Sequence, residues 1–536
     1  MSNIFVSTSS GTYAAQAARE ILVNGGSAAD AVAAASMVQI VDAAGTYVSF
    51  AGMMVALYYE ASTGKVFSIN GDYGVPTKKQ GENLTSLYAQ GKLGVGVLIP
   101  GYFGGIRELL ARFGKLPWEK VISPAIERCD NRFPPYVRLI KRLRKRSLTN
   151  PPSVETFTME NGEVVQKDLG ETLLQIKEAG IDTMYSGSWG QKFVETVQTA
   201  GGVIDIEDML NYRAQISEAI SIQYKDHTVF ASPPENAGGL ITLLILSMVE
   251  RLNLKETGHF TKNADAFIQL ISGMRVYMPF LHKIMGNFDD AAFKKALGGR
   301  AVNLEDALLP ETIDTLWDAI RRGEIDTVPI EKPNNTDVVV AVDGLGNIAI
   351  LVHSACATTG RDGLVVAGIS LPRMAAEFPA GAETSKKWIP GIFSPIISIS
   401  KEKILAVAAI HASLYEKQSA VLLNVLEYGL PLSEANDLPT PLYPDYGQEG
   451  QVSEVLSLDQ YDPSFLDALK QRGLRFINVR ESGLGKFVGE ENLDAVESPL
   501  IGVEINRADQ TAAGVTCKHY DGKVLTGISD PNESAL

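Results

Sequence analysis

The sequence predicts a mixed α/β (α+β) protein in which two β-sheets are covered by helices. Three observations point there. An early hairpin pattern pairs Met53–Glu60 with Val66–Ile69 around the turn Ser62-Thr63-Gly64. Two later patterns pair Thr336–Val342 with Asn347–His353 around Asp343-Gly344-Leu345-Gly346, and Ile396–Ser400 with Ile404–Ala409. Between them, residues 84–150 and 165–215 read as helical with short loops. β-branched runs bounded by Gly-containing turns are hairpin signals. A sheet must cover its apolar face, and the intervening helices are the available cover.

The elements follow in order. Two Ala-rich helices open the chain. The first, from about Tyr13 to Val23, stops at Gly25-Gly26, a C-terminal signal. The second starts at Ser27-Ala28-Ala29-Asp30, a capping box with Asp in place of Glu, and continues to Val41. Gly201-Gly202 ends a helix before Val203-Ile204, and the turn Pro233-Pro234-Glu235-Asn236 precedes an apolar helix, Gly238 to Leu252. The character changes after Lys332-Pro333. Leu414 to Glu427 reads as a helix, with later strands at Phe476–Val479, Ile501–Ile505 and Val524–Thr526. Pro439 to Gly450 is the most loop-like stretch.

Composition narrows the function. The chain has 536 residues, 45% hydrophobic and 21% charged, which is ordinary for a globular protein. A net charge of −15 argues against nucleic acid as a partner. The basic run Lys141-Arg142-Leu143-Arg144-Lys145-Arg146 is local and reads as a solvated helix face. Three cysteines (Cys129, Cys356, Cys517) without short spacing offer neither a disulfide framework nor a zinc motif. Six scattered histidines lack ligand spacing, so no metal and no cofactor is expected. No apolar stretch reaches the roughly 18 residues needed to span a bilayer, and the start, MSNIFVSTSSGTYAAQ, lacks a basic region followed by an apolar run. The expectation is a cytoplasmic protein acting on a small molecule, without a membrane partner.

Several stretches, in order, resemble the gamma-glutamyltransferase family. They are NGGSAADAVAAA at 24–35, IPGYFGGIRELLARFGKLPWEKVISPAIE at 99–127, AGGVIDIEDMLNYRA at 200–214, SPPENAGGL at 232–240, TDVVVAVDGLGNIAI at 336–350 and GKVLTGISDP at 522–531. The resemblance runs almost end to end. It implies a four-layer αββα sandwich of the N-terminal-nucleophile hydrolase type. It also implies a precursor that cuts itself between Asn335 and Thr336 into a large portion, 1–335, and a small portion, 336–536. The two would stay together as a heterodimer in one intertwined domain.

In that register Thr336 becomes the N-terminal nucleophile. A Thr hydroxyl needs a base, and a free α-amine with a pKa of about 8 supplies one. The amine exists only after cleavage, so processing and activation are one event. Ser354, eighteen residues on, takes the position of a family Thr that bonds the nucleophile. Asp337 stands where the family has a second Thr that helps processing.

The substrate-gripping groups differ. The family's carboxylate-clamping Arg falls on Asp72 of Asp72-Tyr73-Gly74-Val75-Pro76. That is a charge inversion, and a glutamyl α-carboxylate beside Asp72, next to Tyr73, would be repelled. Two carboxylate-binding Ser become Gly391 and Ile392, and a binding Asn becomes Cys356. The nearest counterpart of an amine-binding acid is Glu377, in Met374-Ala375-Ala376-Glu377-Phe378. The oxyanion-hole Gly-Gly pair falls on Ile410-His411, or on Ala412-Ser413 two residues on. His411 is then a candidate donor or acid–base group.

Three readings follow. The favoured one is a self-processing acyltransferase or hydrolase with a non-glutamyl, amino-acid-derived substrate, cleaving an amide or a C–C bond beside a carbonyl. Family members in antibiotic pathways, which lack export signals, suggest specialised-metabolite biosynthesis. The second is a conventional γ-glutamyl hydrolase or transpeptidase, with Arg361 or Lys387 replacing the missing Arg. The third is an unprocessed, non-catalytic homologue.

Overall fold

The computed structural model describes residues 4–77, 90–131, 157–234, 236–284, 288–325, 336–356, 364–373, 391–410, 414–442, 444–445, 452–483, 500–517 and 521–526. Among these, thirteen strands build two antiparallel sheets. They are β1 (Phe5–Thr8), β2 (Met53–Glu60), β3 (Lys65–Gly71), β4 (Gln215–Glu218), β5 (Ile220–Tyr224), β6 (His227–Ala231), β7 (Asp337–Val342), β8 (Ile348–Ser354), β9 (Ile396–Ile399), β10 (Lys403–Ala409), β11 (Leu500–Asn506), β12 (Ala512–Val515) and β13 (Val524–Thr526). The helices that matter below are α1 (Thr12–Val23), α2 (Ala28–Asp42), α3 (Tyr102–Phe113), α4 (Trp118–Asp130), α5 (Ala237–Val249), α6 (Ala264–Met274), α7 (Tyr277–Ile284) and α8 (Leu414–Leu426).

The chain divides into two compact units. The first comprises Met1–Glu218, Asn334–Gly391 and Tyr520–Leu536. Its sheet runs β13-β1-β7-β8-β2-β3-β4. The second comprises Ala219–Pro333 and Ile392–His519, with a sheet ordered β12-β11-β10-β9-β6-β5. Each unit therefore draws on chain from both sides of Asn335–Thr336. In the first sheet β7 and β8 lie between β1 and β2, so the two expected portions are interleaved strand by strand.

Helices cover one face of each sheet. In the first unit, Val339, Ala341, Ala349, Leu351, Met54 and Ala56 join the residues of α1 to α4 in one apolar core. All of α2 from Ala28 to Val41 is buried, which explains its lack of a polar stripe. The expected capping box is present: Ser27 Oγ accepts from Asp30 N–H at 3.2 Å, and Asp30 Oδ2 accepts from Ser27 N–H at 2.8 Å. The alternate residues Val338, Val340, Ile350, Val352 and Val55 are buried as well. Strands buried on both faces read as continuous apolar runs, as the sequence of β2 and β7 does. In the second unit, α5 to α8 pack with β6, β9 and β10 in a separate core.

The hairpins and both opening helices fall where the sequence set them. Three regions differ. The chain opens with β1, not with a helix, because four buried residues are too short to show a period. The helical run expected to residue 215 ends at Asn211, and β4, β5 and β6 form in the following stretch, for which no element is expected, as does β12 near the other end of the chain. The alternation Ile220-Ser221-Ile222-Gln223-Tyr224 is a strand signal that helical neighbours masked. Pro439–Gly450 falls partly outside the described residues.

Glycines let β3 and α3 meet. A Cβ on Gly101 would lie 2.1 Å from the Gly71 carbonyl oxygen and 2.3 Å from that of Asp72. Both obstacles are backbone, which cannot swing away. Gly101→Ala is expected to destabilise the protein by about 3 kcal/mol, read as a lowered urea midpoint with unchanged slope.

Candidate active site

Thr336 sits immediately before β7 and is buried. Its surroundings follow from strand pairing. Asp337 pairs with His353, so one further step sets Thr336 opposite Ser354. Ser354 in turn pairs with Met53, and Met54 with Gly71, which sets Met53 opposite Asp72. Asp72, Met53, Ser354 and Thr336 thus form one row across four neighbouring strands. Directly opposite residues have Cβ atoms about 5 Å apart, within the compass of a Ser–Thr contact. Three strand spacings separate the Thr336 and Asp72 backbones by about 14 Å.

The Asp72 end of the row is densely held. Asp72 and Tyr73 are fully buried. Asp72 N–H donates to Asn70 Oδ1 at 3.0 Å, and its carbonyl accepts from Tyr212 OH at 2.6 Å. Its carboxyl Oδ2 accepts from Gly391 N–H at 3.1 Å, while Oδ1 has no hydrogen-bond partner among the described residues. Tyr73 OH donates to the Ala355 carbonyl at 3.0 Å, tying this corner to the end of β8. There Ser354 Oγ accepts from Cys356 N–H at 2.9 Å, and Cys356 takes a left-handed backbone with φ 47°. Asp72, Tyr73, Ser354, Cys356 and Gly391, five of the positions singled out from sequence, are therefore brought together.

Burial sets the charge states here. It pushes the Asp72 carboxyl up to about 8, against the smaller opposing pull of Gly391 N–H and the Asn70 side chain. At neutral pH Asp72 is mostly protonated. This bears on the expected charge inversion: position 72 carries no fixed negative charge below about pH 8. Burial also pushes the Cys356 thiol up to about 12, partly offset by Ser354 and reinforced by Asp72. A buried, protonated thiol is a poor nucleophile, so Cys356 does not compete with Thr336.

A pH dependence follows. The native pKa of Asp72 is raised above the unfolded value of 3.8. Its stabilising contribution is complete below that value and is lost as pH rises toward about 8. Asp72→Asn should therefore flatten the fall in stability across this window, which for one proton is at most about 1.4 kcal/mol per pH unit. Urea midpoints of both proteins at pH 5 and pH 8 test it, and parallel falls would disprove it.

Of the remaining expected positions, Ile410 is buried directly after β10, and Ile392 is half-buried with its carbonyl accepting from Tyr415 OH at 3.0 Å; both belong to the second unit. His411, Ala412, Ser413, Glu377, Asn335, Arg361 and Lys387 lie outside the described residues. Asp337 is buried at the start of β7, accepts from Ser9 Oγ at 2.7 Å, and is pushed up to about 6 by burial. Sequence reading missed Asn70 and Tyr212 as supports of Asp72. Asn70 carried a signal, since an Asn side chain often bonds a backbone N–H two residues on. Tyr212 carried none. No cluster of three or more His, Cys, Asp or Glu among the described residues could hold a metal ion.

The architecture defines an N-terminal-nucleophile hydrolase fold. The crystal structure of cephalosporin acylase from Bacillus halodurans superimposes with a TM-score of 0.76 at 21% identity, covering 98% of this chain and 96% of that one. The chain belongs to the gamma-glutamyltranspeptidase family, whose match spans residues 14–513. Glutathione hydrolase 3 of Arabidopsis thaliana is 26% identical over 46% of this chain but only 41% of its own length. The acylase ACY 1 proenzyme of Pseudomonas sp. (strain V22) is 23% identical over 78% of this chain and 75% of its own.

Proposed function

We propose that the protein is a self-processing acyl-cleaving enzyme with Thr336 as nucleophile and a non-glutamyl, amino-acid-derived substrate. The observation that carries this is the row Asp72–Met53–Ser354–Thr336. It sets a buried Thr at the head of a central strand opposite a Ser and, further along, in line with the buried carboxyl of Asp72. That a Pseudomonas relative is named a proenzyme supports processing.

Two steps follow from ordinary nucleophile chemistry. In processing, Thr336 Oγ adds to the Asn335 carbonyl carbon. The C–N bond breaks and the nitrogen takes a proton. Water then hydrolyses the ester, leaving an Asn335 carboxylate and a free Thr336 amine and hydroxyl. In turnover, that amine takes the hydroxyl proton as Oγ attacks a substrate carbonyl. It returns the proton to the leaving group, an amine or, in C–C cleavage, a carbon. Water or an amine then releases the acyl group. Ser354, opposite Thr336 on the neighbouring strand, is proposed to hold its rotamer. Asp72, Tyr73, Cys356 and Gly391 are the proposed substrate contacts. A protonated Asp72 is a hydrogen-bond donor, suited to a neutral acceptor in the substrate. The proposed role is in specialised-metabolite biosynthesis. Intact-mass analysis of purified protein tests the core of this reading: two chains, the shorter starting at Thr336, are expected, and a single persistent chain would refute it.

A further inference from the structure

We propose that Ser9, Gln39 and His353 form a brace on the helix-facing side of the first sheet, which sets the spacing of Thr336 and Ser354 on the opposite side. The proposal rests on the reading of Thr336 as nucleophile. The residues it invokes adjoin the site without entering it. Thr336 immediately precedes Asp337, Ser354 immediately follows His353, and Asp337 pairs with His353. Because successive side chains alternate, Asp337 and His353 turn toward α2 while Thr336 and Ser354 turn away.

The bonds of the brace converge from three segments. Gln39, fully buried in α2, donates its amide to the Ser10 carbonyl at 3.2 Å and the Val338 carbonyl at 3.3 Å. Those donations point its Oε1 at His353 Nε2, 2.8 Å away. An acceptor there fixes the tautomer, so Nε2 carries the ring proton. Burial holds the ring's pKa down to about 3, so it stays neutral. Ser9 completes the frame. Its Oγ donates to Asp337 Oδ1 at 2.7 Å and accepts from Val338 N–H at 2.8 Å, and its own N–H donates to the Val338 carbonyl at 2.9 Å.

The residue types argue for a purpose. Apart from Asp30 of its capping box, the buried length of α2 is otherwise built from Ala, Val, Met, Ile and Ser. An amide buried there costs stability unless its bonds are made, and an apolar residue would pack without that demand. Gln39 spends its bonds on both strands that flank the site, β8 through His353 and β7 through Val338. The brace therefore fixes one strand end against the other at the level of the nucleophile.

The test follows conversion of precursor to two chains during cell-free synthesis, on denaturing gels, for wild type, Gln39→Met, His353→Phe, His353→Gln and Ser9→Ala. Melting temperatures and the p-nitrophenolate burst with p-nitrophenyl acetate are measured on the purified proteins. Gln39→Met and His353→Phe should slow conversion and shrink the burst rate about tenfold or more while still melting cooperatively. His353→Gln, which restores an N–H donor toward Gln39, should recover most of the rate. Wild-type conversion in the first two, or a deficit in His353→Gln as deep as in His353→Phe, would overturn the brace. Should the larger replacements fail to fold, Ser9→Ala decides, since it removes one oxygen: slowed conversion supports the brace and an unchanged rate overturns it. A wild type that never cuts at Thr336 would instead refute the nucleophile reading, which separates the two failures.

Discussion

Thr336→Ala is expected to leave the chain as one 536-residue polypeptide and to remove its activity. Wild type should resolve into chains of 335 and 201 residues. The Ala variant lacks the oxygen that attacks the Asn335 carbonyl, so the α-amine that serves as base is never released. Both the nucleophile and its base are lost in one substitution, and turnover should fall at least about 10⁴-fold. The fold should survive, because Thr336 precedes β7 and contributes no ladder pairing to it. Thr336→Ser keeps the hydroxyl and should retain cutting at a reduced rate. Intact mass, N-terminal sequencing of the shorter chain and a thermal melt make the comparison. Activity surviving in the Ala variant would show that another group is the nucleophile. Cys356 is a poor candidate for that, since burial keeps its thiol protonated.

The second large effect concerns substrate. γ-Glutamyl p-nitroanilide should be turned over no better than butyryl p-nitroanilide, which lacks the α-amine and α-carboxylate. A carboxylate clamp built on a buried cation is worth roughly 2–5 kcal/mol, and an enzyme holding one would prefer the γ-glutamyl compound by about 10² or more. On the proposed reading that position is Asp72, whose Oδ2 already accepts from the Gly391 N–H. A glutamyl carboxylate arriving there meets a protonated acid near neutral pH and a like charge above about pH 8. Discrimination against the γ-glutamyl compound should therefore grow as pH rises through that value, and Asp72→Asn should abolish that growth. A strong γ-glutamyl preference would establish the conventional reading, with a cation supplied from elsewhere.

Much of the local structure was legible in the chain itself. The Ser27–Asp30 capping box, the Gly25-Gly26 stop and the three hairpins are decided by neighbours in sequence, because caps and turns depend on a few adjacent dihedrals and donors. The resemblance singled out Thr336, Ser354 and Asp72 as candidates, and strand pairing sets them in one row. What escaped were β1, too short to show a period, and the strands after residue 211, which follow a helical stretch. Supports that come from far along the chain also escaped. Tyr212 holds the Asp72 carbonyl across 140 residues, and Ser9 holds Asp337 across 328.

The sequence by itself determined which groups are present: Thr336, a Ser eighteen residues on, and an acid at position 72. Only the tertiary structure decided how they stand. Strand pairing between segments hundreds of residues apart lines up Asp72, Met53, Ser354 and Thr336, and burial turns Asp72 from a presumed anion into a mostly neutral acid. Side-chain identity is written in the chain, whereas spacing across a sheet and the dielectric around a carboxyl are collective properties of the packed fold.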